Sequence, residues 1–195
     1  MSSAKLKQII FYLFGALFFL TPLFFTPLNY ELFEFNKMIL VYLLTALIAG
    51  AWAGRMVIEK RIIFKKSFLF YPLLLFLFSQ LLSTIFSIDL GTSIFGYYSR
   101  FHGGLLSTIA YLILFWALVS NGQKEWVEKL LNLVLISGSL VAGYGILEHF
   151  GIDKNVWVQD VQNRVFSTLG QPNWLAAYLN ILLMIVLGKI AIHCS

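Results

Sequence analysis

Six stretches of the chain are almost wholly apolar, and short polar segments separate them. The runs cover approximately residues 9–28, 38–54, 68–86, 103–120, 130–150 and 174–192. Each is close to the roughly 20 residues that a helix needs to cross a hydrocarbon core of about 30 Å. Lipid offers no water to the backbone N–H and C=O groups, so a spanning segment must satisfy them internally as a helix. The runs are too long and too little alternating for barrel strands. The pattern therefore predicts an all-α protein, a polytopic transmembrane helical bundle with about six membrane-spanning helices in one domain over residues 1–195. Pro22, Pro27 and Pro72 fall inside the runs, and kinks are expected near them.

The first run follows Lys5 and Lys7, as a secretory signal peptide would. Its apolar stretch is longer than a signal core, and Phe24-Phe25-Thr26-Pro27-Leu28 lacks a small-x-small cleavage site, so a retained helix is expected. Composition agrees with a membrane setting. The chain is 59% hydrophobic and only 12% charged, with mean hydropathy +0.83, whereas soluble domains carry about 25% charged residues. Its net charge of +5 sits in short loops between the runs, a topogenic pattern, which excludes nucleic acid as a partner. Cys194 is the single cysteine, so neither a disulfide nor a cysteine metal site is expected.

Alternate loops differ in basic charge. One set holds Lys5, Lys7, Arg55, Lys60, Arg61, Lys65, Lys66, Lys124 and Lys129; the other holds Lys37, Arg100, Lys154 and Arg164. The excess predicts that the N-terminus and the first set are cytoplasmic, while segments 29–37, 87–102 and 151–173 face outward. The cluster from Arg55 to Lys66 reads as a stop-transfer signal and an anchor on anionic membrane lipids.

Two arginines lie on the face that the charge rule disfavours. Arg100 sits in Gly96-Tyr97-Tyr98-Ser99-Arg100-Phe101-His102-Gly103-Gly104, where the rings suit an interface and the glycines permit close backbone approach. Arg164 precedes the last run in Arg164-Val165-Phe166-Ser167-Thr168-Leu169-Gly170-Gln171-Pro172-Asn173-Trp174. There Ser167 or Thr168 is a candidate cap, Pro172 fits a first helical turn, and the free N–H groups of that turn suit an anion. A guanidinium beside them matches phosphate oxygens with two N–H bonds at once. The residues alone leave a second reading open, in which both arginines snorkel to lipid headgroups.

The stretch from Tyr97 to Leu105 and the stretch from Arg164 through Leu175-Ala176-Ala177-Tyr178-Leu179 resemble the amino-terminal half of bacterial O-antigen ligase and polymerase-like membrane proteins. Glu31-Leu32-Phe33-Glu34-Phe35-Asn36-Lys37 is a weaker similarity to the same group. The resemblance implies handling of an undecaprenyl diphosphate-linked glycan at the outer face of the bacterial inner membrane, by metal-independent glycosyl transfer without a cofactor. In that reading Arg100 and Arg164 bind the diphosphate, Gly170 and Pro172 shape the site, and Asn173 orients the loop or the glycan. His102 is a weak candidate base, more simply a hydrogen-bonding neighbour of Arg100.

The resemblance covers about half of a typical member, and no large outward loop with a histidine follows the last run. The chain is therefore expected to be an amino-terminal fragment, or half of a split protein with a partner membrane subunit, and inactive as an enzyme alone. His193 would be cytoplasmic. A transporter or flippase, or a non-catalytic polysaccharide-export component, is the alternative. Against transport, the runs are nearly empty of charge; Glu148 reads as an interfacial residue beside His149, and Gly138, Gly143 and Gly145 as close-packing positions. Nucleotide loops, dinucleotide fingerprints, metal motifs and paired catalytic carboxylates are absent.

Overall fold

The computed structural model describes residues 2–27, 30–157 and 160–194, with the side chains of His193 and Cys194 outside that description. The expectations for those two side chains thus fall outside the described residues, as does the end of the first run at Leu28. The described residues are helical without strands: α1 (Ser3–Leu23), α2 (Glu34–Glu59), α3 (Phe70–Ile85), α4 (Leu90–Phe95), α5 (Leu105–Asn121), α6 (Lys124–His149) and α7 (Pro172–Cys194). A single 3-10 turn, Ser167–Leu169, precedes α7.

Four helices are long and apolar enough to cross a membrane: α1, α2, α6 and the Pro172–Ile192 portion of α7. The other two apolar helices, α3 and α5, have 16 and 17 residues. At about 1.5 Å per residue they reach only about 24–26 Å. Local hydrogen bonding shortens the third run, since the Ser67 hydroxyl and carbonyl accept from Leu69 and Phe70 N–H and form a turn before α3. Segment 87–102, expected to be loop, contains α4, capped by Asp89, whose carboxylate accepts from Thr92 N–H and hydroxyl. Those bonds hold the Asp89 carboxyl below the usual carboxylate range.

Helix ends depart from the apolar runs because backbone capping, not hydropathy, sets them. The Ser2 hydroxyl accepts from Lys5 N–H, starting α1 six residues before the apolar run begins. The Glu31 carboxylate accepts from Phe33 and Glu34 N–H at 3.1 and 2.8 Å, which begins α2 ahead of its run. The three prolines lie at or beyond helix ends rather than in mid-helix. Pro22 lies in the last turn of α1, Pro27 lies beyond it, and Pro72 lies in the first turn of α3, where an N–H is free anyway.

The core joins three helices and the inner stripe of a fourth. Ile10, Phe14 and Leu17 recur at helical spacing on α1 and pack with Val41, Leu44 and Ile48 of α2 and Trp126 and Leu130 of α6, with Leu114 and Ala117 of α5 closing the cluster. Between apolar helices in lipid, such contacts stabilise by dispersion and close approach rather than by expelling water. Gly138 illustrates this: a Cβ there would lie 2.1 Å from Leu182 Cδ1 of α7. Gly145 is similarly filled by Val165 and Ser167, but Gly143 faces open space and is not a packing position.

The chain's polar residues gather at two opposite ends. At one, Arg55 bonds Glu59, Ser3 and Asn121, joining α1, α2 and α5. The cluster read as a lipid anchor is therefore divided: Arg55 is an internal clamp, while Lys60, Lys65 and Lys66 are exposed. At the other end lie the N-termini of α2, α5 and α7 and the loops carrying Arg100 and Arg164.

Candidate functional site

The Arg100 loop is folded back on itself by its glycines. Gly96 has φ +83°, and a Cβ on it would lie 2.1 Å from the His102 carbonyl oxygen; one on Gly104 would lie 2.3 Å from Gly96 N. Only glycine tolerates this crossing of backbones. Phe101 takes the left-handed conformation at φ +52°, and Tyr42 donates its hydroxyl to the Phe101 carbonyl at 2.7 Å. The Phe101 ring meets Phe35 edge-on at 5.5 Å, so α2 anchors the loop from two directions.

This anchoring leaves Arg100 exposed but oriented. Its Nε lies 3.4 Å from Glu34 Oε2, and its guanidinium carbon is 5.8 Å from the Tyr97 ring and 5.7 Å from the Trp174 ring. Arg100 thus touches α2 and the first turn of α7 together. Lys37, one helical turn after Glu34, donates to the Thr168 carbonyl.

The Arg164 loop is held from beneath by a residue that sequence reasoning misplaced. Glu148 is fully buried at the end of α6 rather than interfacial. Its Oε2 accepts from Phe166 and Ser167 N–H at 2.9 and 2.7 Å, because the loop turns its amides inward there. An ionisable residue within an apolar helix was the available signal. Ser167 and Thr168 do not cap α7. Their hydroxyls donate to the Val141 and Pro22 carbonyls, and the Gln171 carbonyl accepts from Trp174 and Leu175 N–H in the first turn of α7. Pro172 occupies the first position of α7 as expected, and Gly170 has φ +79° with Phe33 against it.

Three adjoining clefts connect the two arginines. The first, about 410 Å³, is lined by Arg100, Lys37, His102 and Trp174 among others. The second, about 440 Å³, shares Arg100, Glu34 and Trp174 with the first and adds Trp157, Phe166, Gly170 and Gln171. The third, about 460 Å³, is lined by Asp160, Arg164, Gly170, Gln171 and Pro172. Arg100 and Arg164 therefore do not meet in one pocket; Gly170 and Gln171 form the wall between them. Asn173 is exposed on α7 and lines none of these clefts. His102 lines the first cleft with Arg100.

Charge in the clefts is mixed. Asp160 faces the third, and hydrogen bonds from the Asn163 side-chain amide and backbone N–H hold its carboxyl below the usual carboxylate range. It is ionised at neutral pH beside Arg164. Among the described residues, no group of three or more His, Cys, Asp or Glu side chains is placed to hold a metal ion. No protein-family model matches the chain, and no curated protein or solved structure is similar enough to count as a match.

Proposed function

We propose that the chain is a six-span bacterial inner-membrane protein with a cytoplasmic N-terminus, which binds the diphosphate of an undecaprenyl-linked glycan at its outward end. The observation that carries this reading is the row of three adjoining clefts between Arg100 and Arg164, mixed in charge, each with an arginine in its wall and the first two with aromatic rings besides. Guanidinium groups suit diphosphate oxygens, and the aromatic walls of the middle cleft suit the apolar faces of sugar rings. Resemblance of both arginine motifs to O-antigen ligase and polymerase-like proteins supports the same substrate. The helix count rests on the apolar runs at α3 and α5, and the orientation on the lysine and arginine distribution. In the glycosyl transfer that the resemblance implies, the arginines would stabilise negative charge growing on the diphosphate leaving group.

Binding of a short prenyl diphosphate to the protein in nanodiscs, compared with the corresponding prenyl alcohol, tests the reading. Saturable binding of the diphosphate alone supports it. Equal uptake of both compounds would reduce the clefts to ordinary contact with lipid.

A further inference from the structure

Helix α7 carries two different faces. On the side toward α6, Leu175 and Leu182 are buried, and Leu182 occupies the space where a Cβ on Gly138 would lie. On the other side, Asn173, Ala176, Asn180, Leu183, Leu187 and Ile190 are all exposed, and they follow one another at alternating intervals of three and four residues. That is the spacing of a seam between two supercoiled helices, and an asparagine within such a seam fixes which layers meet. We propose that this seam joins two copies of the chain side by side in the membrane, with Asn180 of each copy hydrogen-bonded to Asn180 of the other.

Two further observations support the seam. First, α7 is the least embedded of the four helices long enough to cross a membrane: 11% of its apolar stretch is buried inside the chain, against 28% in each of the other three. Second, Asn180 stands near the middle of the 21-residue span Pro172–Ile192, where hydrocarbon offers a carboxamide no partner. Similar groups in the bundle are satisfied within the chain. Asn121 donates to the Ala117 carbonyl of its own helix at 2.8 Å, and Lys189 of α7 donates to Asn132 of α6. Asn180 makes no side-chain hydrogen bond among the described residues, and it faces away from α6.

Depth and chemistry select a second copy as the partner. Both copies insert in the same direction, so a two-fold axis along the membrane normal sets every seam residue opposite its own counterpart at the same depth. A carboxamide carries donors and an acceptor, so two Asn180 side chains satisfy one another. Ala176, in the adjoining layer, lets the two backbones approach closely there. Leu183, Leu187 and Ile190, about half exposed in the single chain, supply dispersion contacts along the rest of the seam. A helix of another protein would meet the same need only by placing a polar group at the depth of Asn180.

Subunit counting by single-molecule photobleaching of the full chain in liposomes, over a series of protein-to-lipid ratios, tests the pairing. Wild type should pass from dimer to monomer on dilution into lipid. Asn180→Leu, which only adds apolar surface toward lipid, should shift the midpoint toward monomer by about threefold to thirtyfold. Disulfide trapping in a Cys194→Ser background supplies a second measurement. Leu183→Cys and Leu187→Cys should each cross-link to a second copy, and Ile181→Cys, exposed but off the seam, should not. A monomer at every ratio overturns the proposal and leaves the seam to another membrane protein. An unchanged midpoint in Asn180→Leu, or trapping through Ile181→Cys in place of Leu183→Cys, also overturns it, because the copies then meet elsewhere.

Discussion

Glu148 Oε2 and Ser167 N lie 2.7 Å apart, joining the end of α6 to the turn that carries Arg164 toward α7. The bond closes on a residue in the left-handed region, Ser167 at φ +54°, where a non-glycine backbone is held only by its surroundings. The same carboxylate oxygen takes the Phe166 N–H, so one side chain satisfies two buried amides.

Removing that acceptor should therefore be costly. Glu148→Ala is expected to destabilise the protein by about 2–4 kcal/mol, the consequence of orphaning two buried donors. Glu148→Gln keeps an acceptor oxygen and should lose much less. Thermal unfolding in detergent compares them; equal losses would mean that the carboxylate's charge, not its accepting oxygen, holds the loop.

Gly170 separates the two arginine clefts and leaves no room for a side chain. A Cβ would lie 2.5 Å from Phe33 Cγ, at a φ of +79° that L-residues rarely adopt. Gly170→Ala should destabilise by about 1–3 kcal/mol and also weaken diphosphate binding, since the start of α7 must shift. Wild-type stability and affinity in this variant would show that the turn is more pliant than its contacts imply.

At the opposite end, Arg55 and the exposed lysines should behave differently. Arg55 reaches Asn121 Oδ1 at 2.7 Å and Glu59 at 2.9 Å, whereas Lys65 and Lys66 are exposed. Arg55→Ala should lower the melting temperature clearly, and Lys65→Ala or Lys66→Ala should leave it nearly unchanged. Vesicle binding with anionic lipid should show the reverse order.

Asp160 opposes an anionic ligand in the Arg164 cleft. Its lowered carboxyl stays ionised from neutral pH down past the ordinary carboxylate range, so mild acid should not relieve the repulsion. Asp160→Asn should instead raise diphosphate affinity by a few-fold at pH 7, read by isothermal titration. Weaker binding in this variant would assign Asp160 to orienting the loop through Asn163.

How much of this was legible in the sequence depends on whether an element is announced by side chains or by backbone. The apolar runs located six helices of 16 residues or more by their length alone, and four of these are long and apolar enough to cross a membrane. Their ends escaped, because Ser2 and Glu31 set them through backbone N–H groups. The helix α4 escaped because six residues are too few for a period to show. The Arg100 motif was readable from Gly96 and Gly104, whose crossing requires glycine. Glu148 stood out as an ionisable residue in an apolar helix, but its partners were not legible, because they are amides 18 and 19 residues downstream, which no side-chain pattern marks. Arg55 was hidden likewise, its partner Asn121 being remote in the chain.

The central claim is that Arg100 and Arg164, in adjoining clefts, serve one ligand. A double-mutant cycle on diphosphate binding in nanodiscs of fixed lipid composition tests it most directly. Arg100→Ala and Arg164→Ala should each weaken binding roughly tenfold to hundredfold, the equivalent of about 1.5–3 kcal/mol per charge-assisted contact. Arg164→Lys should also be impaired, because an ammonium lacks the two-pronged geometry. The double variant should fall short of the product of the single losses, since two groups holding one diphosphate are coupled. Affinity unchanged by all of these substitutions would contradict the account and return both arginines to the membrane interface.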